Sequence, residues 1–281
     1  MITCNLMGGL GNQLFQIFAT IAYGYKSNNQ FRFLGVETLG GGYTTVRPTY
    51  WSTLFSKMQP FLINELPKVR VFGENGFPYT ELPVEEMSQA DVLISGYFQS
   101  YKYFQGQYDM ICRLIGIEKT RNALTTRLNM DKEYFSNIIS MHFRIGDYKK
   151  LQQFHPLATY EYYERSLQHF KFAQPNHSFT VLYFCEDDDI ADVMVIVDRL
   201  TSTYPECKFI RDENALADWE QLLLMSCCHH NIIANSSFSW WAAYFNPHKD
   251  KVVCYPSAWF GHAAKNDTRD LCPSEWVQVQ V

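Results

Sequence analysis

From residue 138 onward, short apolar runs alternate with stretches of helical period, and few folds satisfy that alternation. The strand-like runs are Ile138 to Phe143, Phe179 to Cys185, Cys207 to Ile210, Asn231 to Ala234 and Val252 to Tyr255. Between them lie amphipathic segments near 159 to 171, 187 to 200, 215 to 228 and 237 to 245. Strands that each feed a helix pair in parallel, and such a sheet needs helices on both faces. An α/β architecture follows. The chain opens the same way, with a strand-like start at residues 1 to 6, the loop Gly8-Gly9-Leu10-Gly11-Asn12-Gln13, and a helical pattern through about Tyr25. The 281 residues suffice for two domains. We expect α/β halves at residues 1–135 and 136–281, joined near 130 to 138. Gly35 to Pro83, rich in Gly, Pro and aromatics, is expected to be loops and short elements shaping a cleft. Asp91 to Ser95 is expected to be a buried strand, and Tyr101 to Arg127 helical with a break at Gly116.

With 47% hydrophobic and 19% charged residues the chain can build packed cores, which excludes a disordered polymer. Twenty-four basic residues against 29 acidic ones leave a net charge of −5, so the charge needed to hold a phosphate polyanion is missing and nucleic acid is excluded as a partner. A small anionic ligand must then be held locally, by single arginines and helix N-termini. No apolar run is long enough to span a bilayer, and the N-terminal residues lack the basic flank and apolar core of a secretion signal. We expect a cytoplasmic chain without stable membrane insertion. Its eight scattered cysteines read as free thiols of a reducing compartment.

Three segments carry chemistry. In His142-Phe143-Arg144-Ile145-Gly146-Asp147-Tyr148, at a strand's C-terminal end, alternation sets His142 and Arg144 on one face while Gly146 lets the chain turn. An imidazole and a guanidinium can converge there on one ligand; an Arg144 to Asp147 ion pair that only ties the strand end is the other reading. The loop at Gly8 lacks the Lys-Ser/Thr of a phosphate-binding loop and the third glycine of a dinucleotide fingerprint. Gly9 and Gly11 still permit close backbone approach, and Asn12 offers a neutral donor at a helix N-terminus, or simply caps it. Asn235, Ser236 and Ser237 sit where a strand gives way to a helix, so hydroxyls and unpaired N–H groups can face an anion, although ordinary capping uses the same residues. After the strand Val181 to Cys185, the acidic run from Glu186 and Asp187 to Asp189 suits a helix cap, a metal, or hydrogen bonds to a ribose or base. Cys227-Cys228-His229-His230 lacks the spacers of a zinc site, so no metal is expected.

Taken together, Gly8 to Gln16, His142 to Tyr148, Phe184 to Asp187, Trp219-Glu220 through Met225, and Ile233-Ala-Asn235-Ser-Ser-Phe238-Ser-Trp-Trp-Ala-Ala-Tyr244 resemble family 11 of the glycosyltransferases, the α-1,2-fucosyltransferases. The motifs fall in the family's order over nearly the whole chain. The resemblance implies a GT-B fold of two Rossmann-like domains facing a cleft, with the acceptor on the N-terminal side and a nucleotide-sugar donor on the C-terminal side. It implies GDP-fucose as donor and inverting transfer without metal or other cofactor to a glycan acceptor, typically O2 of a β-linked galactose. By the same resemblance Arg144 holds the β-phosphate and Asn12 lies near phosphate and acceptor hydroxyl, and Gly9, Gly11, His142, Glu186, Asp187, Asn235, Ser236, Ser237 and Phe238 line the donor. Asp147 and an acid of the N-terminal half are the candidates for a general base. One departure stands out: the family has a second arginine after Arg144, whereas this chain has Ile145. A different nucleotide-sugar donor, or a noncatalytic relative that binds GDP or sugar, is the alternative reading. The aromatics Tyr43, Tyr50, Trp51, Phe77 and Tyr79 are expected either to stack on acceptor sugars or to fill a core.

Overall fold

The computed structural model describes residues 1–40, 45–173 and 178–281. The chain forms two compact units. The first comprises Met1–Asn122 and Asn266–Pro273, the second Ala123–Lys265 and Ser274–Val281. The division falls ahead of the 130 to 138 junction read from the sequence, within the helix Ile117–Arg127, and a late segment returns to the first unit.

In the first unit, β1 (Ile2–Cys4), β2 (Arg70–Gly73) and β3 (Val92–Ser95) form a parallel sheet in the order β1-β3-β2, with Ile2 and Arg70 both opposite Val92. The sequence reading missed β2 for a physical reason. It is an edge strand whose side chains are mostly exposed, so it carries no apolar run to announce it. Helix α1 (Leu10–Lys26) follows β1 and is buried along nearly its whole length. The stretch expected to be loops also holds two-residue ladders, Phe33–Leu34 with Leu62–Ile63 and Thr38–Leu39 with Arg47–Pro48. The helical stretch after Tyr101 begins as 3-10 turns and becomes α2 (Tyr108–Ile115) and α3 (Ile117–Arg127), separated by Gly116 in a left-handed conformation at φ +87°. The returning segment is pinned by Asp270, whose carboxylate accepts from Lys102 Nζ and Tyr79 N and whose carbonyl accepts from Ser100 Oγ at 2.6 Å.

The second unit holds a six-stranded parallel sheet: β4 (Ile138–His142), β5 (Thr180–Phe184), β6 (Lys208–Arg211), β7 (His230–Ile232), β8 (Val253–Pro256) and β9 (Val277–Val279). Their order, β6-β5-β4-β7-β8-β9, is the doubly wound Rossmann arrangement, with its switch point between β4 and β7. Every residue of β4 is buried, as a strand covered on both faces requires. Its one internal polar side chain is satisfied, since Asn231 Nδ2 donates to Ser140 Oγ at 2.7 Å. Crossovers run through α4 (Tyr160–Ala173), α5 (Ile190–Thr203), α6 (Asp218–Met225) and α7 (Ser237–Phe245). One core layer joins Met141, Phe143, Ile145, Tyr162, Tyr163, Val181 and Val193. Helix α7 is anchored by Trp240 and Trp241, both fully buried, with Trp240 stacked on Tyr244 at 4.6 Å. Two parallel α/β units, the second in Rossmann order, match the GT-B expectation in architecture.

The eight cysteines are free thiols. Among the described residues no helix is long and apolar enough to cross a membrane.

Candidate functional site

In a doubly wound sheet the crossovers leave in opposite directions at the switch point, so a crevice opens beyond the carboxyl ends of the two strands there. In the second unit those ends are His142 of β4 and the residues following Ile232 of β7. Two of the three sequence-read segments meet at this place.

On the β4 side, Phe143 N donates to Phe184 O at 2.9 Å, which extends the pairing past the strand. The His142 ring is buried 5.5 Å from Phe238, and its Nδ1 has no hydrogen-bond partner among the described residues. Burial, reinforced by the positive charge of Arg144, pushes the His142 pKa down to about 3. The ring is therefore neutral near pH 7, one nitrogen a donor and the other an acceptor. Arg144 bonds Asp147 at 2.5 Å and also Glu186, while its guanidinium lies 5.0 Å from the centre of the Tyr148 ring. The tie to Asp147 read from the sequence is present, and Glu186 is a second partner that the sequence reading did not pair with it.

Gly146 is required where it stands. Its φ is +27°, a Cβ there would meet Glu186 Oε2 at 3.0 Å, and its N–H donates to Asp189 Oδ2 at 2.6 Å. Asp189 is buried, and its other oxygen meets Lys149 Nζ at 3.3 Å. Asp187 reaches away and pairs with Arg211 at the end of β6. Sequence reasoning missed Arg211, because one arginine closing an apolar run looks like any strand end.

Across the switch point, Asn235 Nδ2 donates to Pro156 O at 2.9 Å and Trp259 O at 3.1 Å, while its side-chain Oδ1 is buried without a partner among the described residues. Tyr148 OH donates to Asn235 O at 3.3 Å, and the Tyr148 ring stacks on His155 at 4.7 Å. The segments after β4 and β7 are thereby joined. Ser236 caps α7, its Oγ accepting from Phe238 N at 3.3 Å. Ser237 and Phe238, half-buried, form the first turn of α7, where the helix dipole favours negative charge.

The remaining residues of the expected site belong to the first unit. Gly8 adopts φ +75°, and a Cβ there would come within 2.5 Å of Asn12 Nδ2, so only glycine fits this turn. Gly9 occupies the N-cap of α1 with open space where a side chain would be, Gly11 is buried in the first turn, and Asn12 Oδ1 accepts from Gln99 Nε2 at 2.8 Å. Gln13 Nε2 donates to Gly8 O at 3.1 Å and Pro48 O at 2.9 Å, which fixes the loop. Of the aromatics, Tyr50 and Trp51 are buried against Phe55 and serve as core, Phe77 and Tyr79 are half-buried, and Tyr43 lies outside the described residues.

The thiols of Cys227 and Cys228 donate back to Leu223 O and Leu224 O at 3.3 and 3.8 Å. The Cys-Cys-His-His run is thus no four-ligand set.

The switch point offers a guanidinium, a neutral imidazole and a helix N-terminus, a combination suited to an anionic group. The model of glycosyl transferase family 11 matches residues 81–280. An α-1,2-colitosyltransferase of Escherichia coli is 28% identical, with 100% of this chain and 99% of that protein aligned. The O-antigen biosynthesis glycosyltransferase WbnK of the same organism is 28% identical over 65% of this chain and 59% of its own length. Among solved structures, the fucosyltransferase NodZ from Bradyrhizobium superposes with a TM-score of 0.44 at 14% identity, covering 89% of this chain and 96% of that one. With its family model matched across the whole Rossmann sheet, the chain belongs to glycosyl transferase family 11.

Proposed function

We propose that this glycosyltransferase moves L-fucose from GDP-fucose to a sugar hydroxyl with inversion, forming an α-1,2 linkage to galactose of a glycan. The observation that carries the reading is the place of Arg144, at the Rossmann switch point in a chain of family 11. Departure of GDP builds negative charge on the β-phosphate. Arg144, Ser236, Ser237 and the N–H groups opening α7 offset that charge as it develops, without a divalent ion. The diphosphate must first displace Asp147 and Glu186 from the guanidinium, and Glu186 then becomes available to ribose hydroxyls.

With its pKa near 3, His142 is not an imidazolium at neutral pH, so it orients the donor as a neutral hydrogen-bonding group and is not the general acid. An oxocarbenium-like sugar centre lessens the demand for a strong base. Asp147, half-exposed, is the group assigned to the acceptor hydroxyl. Gly9 and Gly11 allow the first unit's loop to approach its ligand closely.

A second reading, a different nucleotide-linked deoxysugar such as colitose, rests on Ile145. This residue stands where the family resemblance places an arginine, it is buried in the core, and the full-length relative is a colitosyltransferase. Transfer from each donor to a β-galactoside panel in EDTA separates the readings, with Arg144→Ala as the reference for loss of the site. Turnover of neither donor, with GDP still bound, would overturn both.

A further inference from the structure

At the amino ends of the Rossmann strands, away from the switch-point crevice at their carboxyl ends, His229, His248 and Asp250 in the turn entering β7 and the loop entering β8 bring three ligand atoms within 4.8 Å of one another. We infer that these residues form a binding site for a divalent transition metal of the zinc class, separate from the sugar-transfer site.

The argument begins with His229. Its Nδ1 lies 2.8 Å from the carbonyl oxygen of Ser136, and its Nε2 lies 3.0 Å from Asp250 Oδ2. Both neighbours only accept, whereas a neutral imidazole donates from one nitrogen alone. One ring nitrogen is thus held by a backbone carbonyl, and the other points directly at the Asp250 carboxylate.

His248 favours the metal. Its Nε2 lies 3.3 Å from the carbonyl of Cys227, and its ring stacks on His229 at 4.8 Å with 10° between the planes. Each imidazole is therefore held through one nitrogen by a backbone carbonyl, the outer-shell arrangement that orients metal-binding histidines and sets their tautomer. Two imidazoles and a carboxylate suit zinc, which takes three protein ligands and a water, and they do not suit calcium or magnesium, which prefer oxygen. Bonds of about 2.0–2.2 Å place tetrahedral ligand atoms roughly 3.4 Å apart. His229 and Asp250 already meet at 3.0 Å, and the Asp250 side chain is 77% exposed and free to adjust. His229 is only 21% exposed, so the site opens to solvent on the carboxylate side.

The ligands come from the segments entering two adjacent strands, so a bound ion would tie the turn before β7 to the loop before β8. The residues also explain why the sequence concealed the site. His229 sits in a run whose cysteines point elsewhere, and its partners lie 19 and 21 positions further along the chain, in a motif of no familiar spacing.

The test is calorimetric titration of the chelator-treated full chain with zinc chloride at pH 7.5, together with the absorption spectrum after cobalt loading. One zinc per chain, a cobalt spectrum of tetrahedral intensity, and a thermal midpoint that climbs with zinc concentration are expected. His229→Ala, His248→Ala and Asp250→Asn should each weaken zinc by about tenfold or more, while Lys249→Ala should not. Circular dichroism of the metal-free variants identifies any that fail to fold, and Asp250→Asn, altering an exposed side chain, keeps the test decisive. Absence of saturable uptake would overturn the proposal. So would uptake that all three substitutions leave unchanged.

Discussion

Arg144 and Glu186 stand at matching places beyond neighbouring strands, and they are bonded to each other. β4 and β5 pair in parallel with His142 opposite Phe184, and both chains continue two residues to the guanidinium and the carboxylate. Strand register therefore sets this ion pair, and any anion bound by Arg144 competes with Glu186. Glu186→Gln should tighten GDP roughly three- to tenfold in a calorimetric titration by removing one competing charge. Weaker binding would show that the carboxylate itself contacts the nucleotide.

Arg144→Ala should lower kcat for sugar transfer by about 10²–10³, the usual cost of losing a group that stabilises developing negative charge. Arg144→Lys should recover only part of this, because an ammonium lacks the two-pronged geometry. Steady-state kinetics with circular dichroism as the control for folding tests both. Near-normal turnover by the alanine variant would remove Arg144 from the mechanism.

His142 links the site to acid stability. Its pKa is lowered from 6.5 to about 3 in the folded chain, so between those values the unfolded chain binds more protons. The contribution is complete above about pH 6.5 and is lost as the pH falls toward 3. Each pH unit in that window costs about 1.4 kcal/mol at most. Between pH 6.5 and 5 the wild type should lose about 1.5 kcal/mol that His142→Asn does not lose. Urea denaturation at the two pH values measures the difference, and parallel losses would refute the assignment.

Gly8 and Gly9 separate conformational from functional demand. Gly8→Ala adds a Cβ at φ +75° and 2.5 Å from Asn12 Nδ2, so it should cost about 1–3 kcal/mol in urea denaturation. Gly9→Ala, with open space at its Cβ and φ −78°, should leave stability within about 0.5 kcal/mol. Activity lost in the second variant alone would mark close approach of a ligand. A destabilised Gly9→Ala would contradict the geometry.

Ile145→Arg restores the family's residue type at a position buried in the core with Phe143 and Tyr163. An unpaired guanidinium there should destabilise by about 3 kcal/mol or more without raising transfer. Thermal unfolding and a donor assay decide it; a stable variant with higher turnover would show that the side chain can turn toward the donor.

Much of this molecule could be read along the chain. Continuous apolar runs revealed β4, β5 and β8 because strands buried on both faces need them, and the run from Ile233 to Tyr244 located both the end of β7 and the helix Ser237–Phe245. The motif from His142 to Tyr148 singled out Arg144 because a histidine, an arginine and a glycine turn fall together past a buried strand, and the ion pair to Asp147 that the same residues also allowed is present. The edge strand Arg70–Gly73 and the late strand Val277–Val279 were not legible, because short strands at sheet margins carry no sustained apolar pattern.

Local sequence by itself determined the α/β class, the positions of most strands and helices, and the residue types available for chemistry, because periodicity and turn chemistry act over a few residues. Only the tertiary structure decided the Rossmann order, the transfer of residues 266–273 to the first unit, and the partners of each charge: Glu186 on Arg144, Asp189 on Gly146, Asp250 on His229. These are relations between residues far apart in the chain, set by strand pairing and by the cost of leaving buried polar groups unmatched.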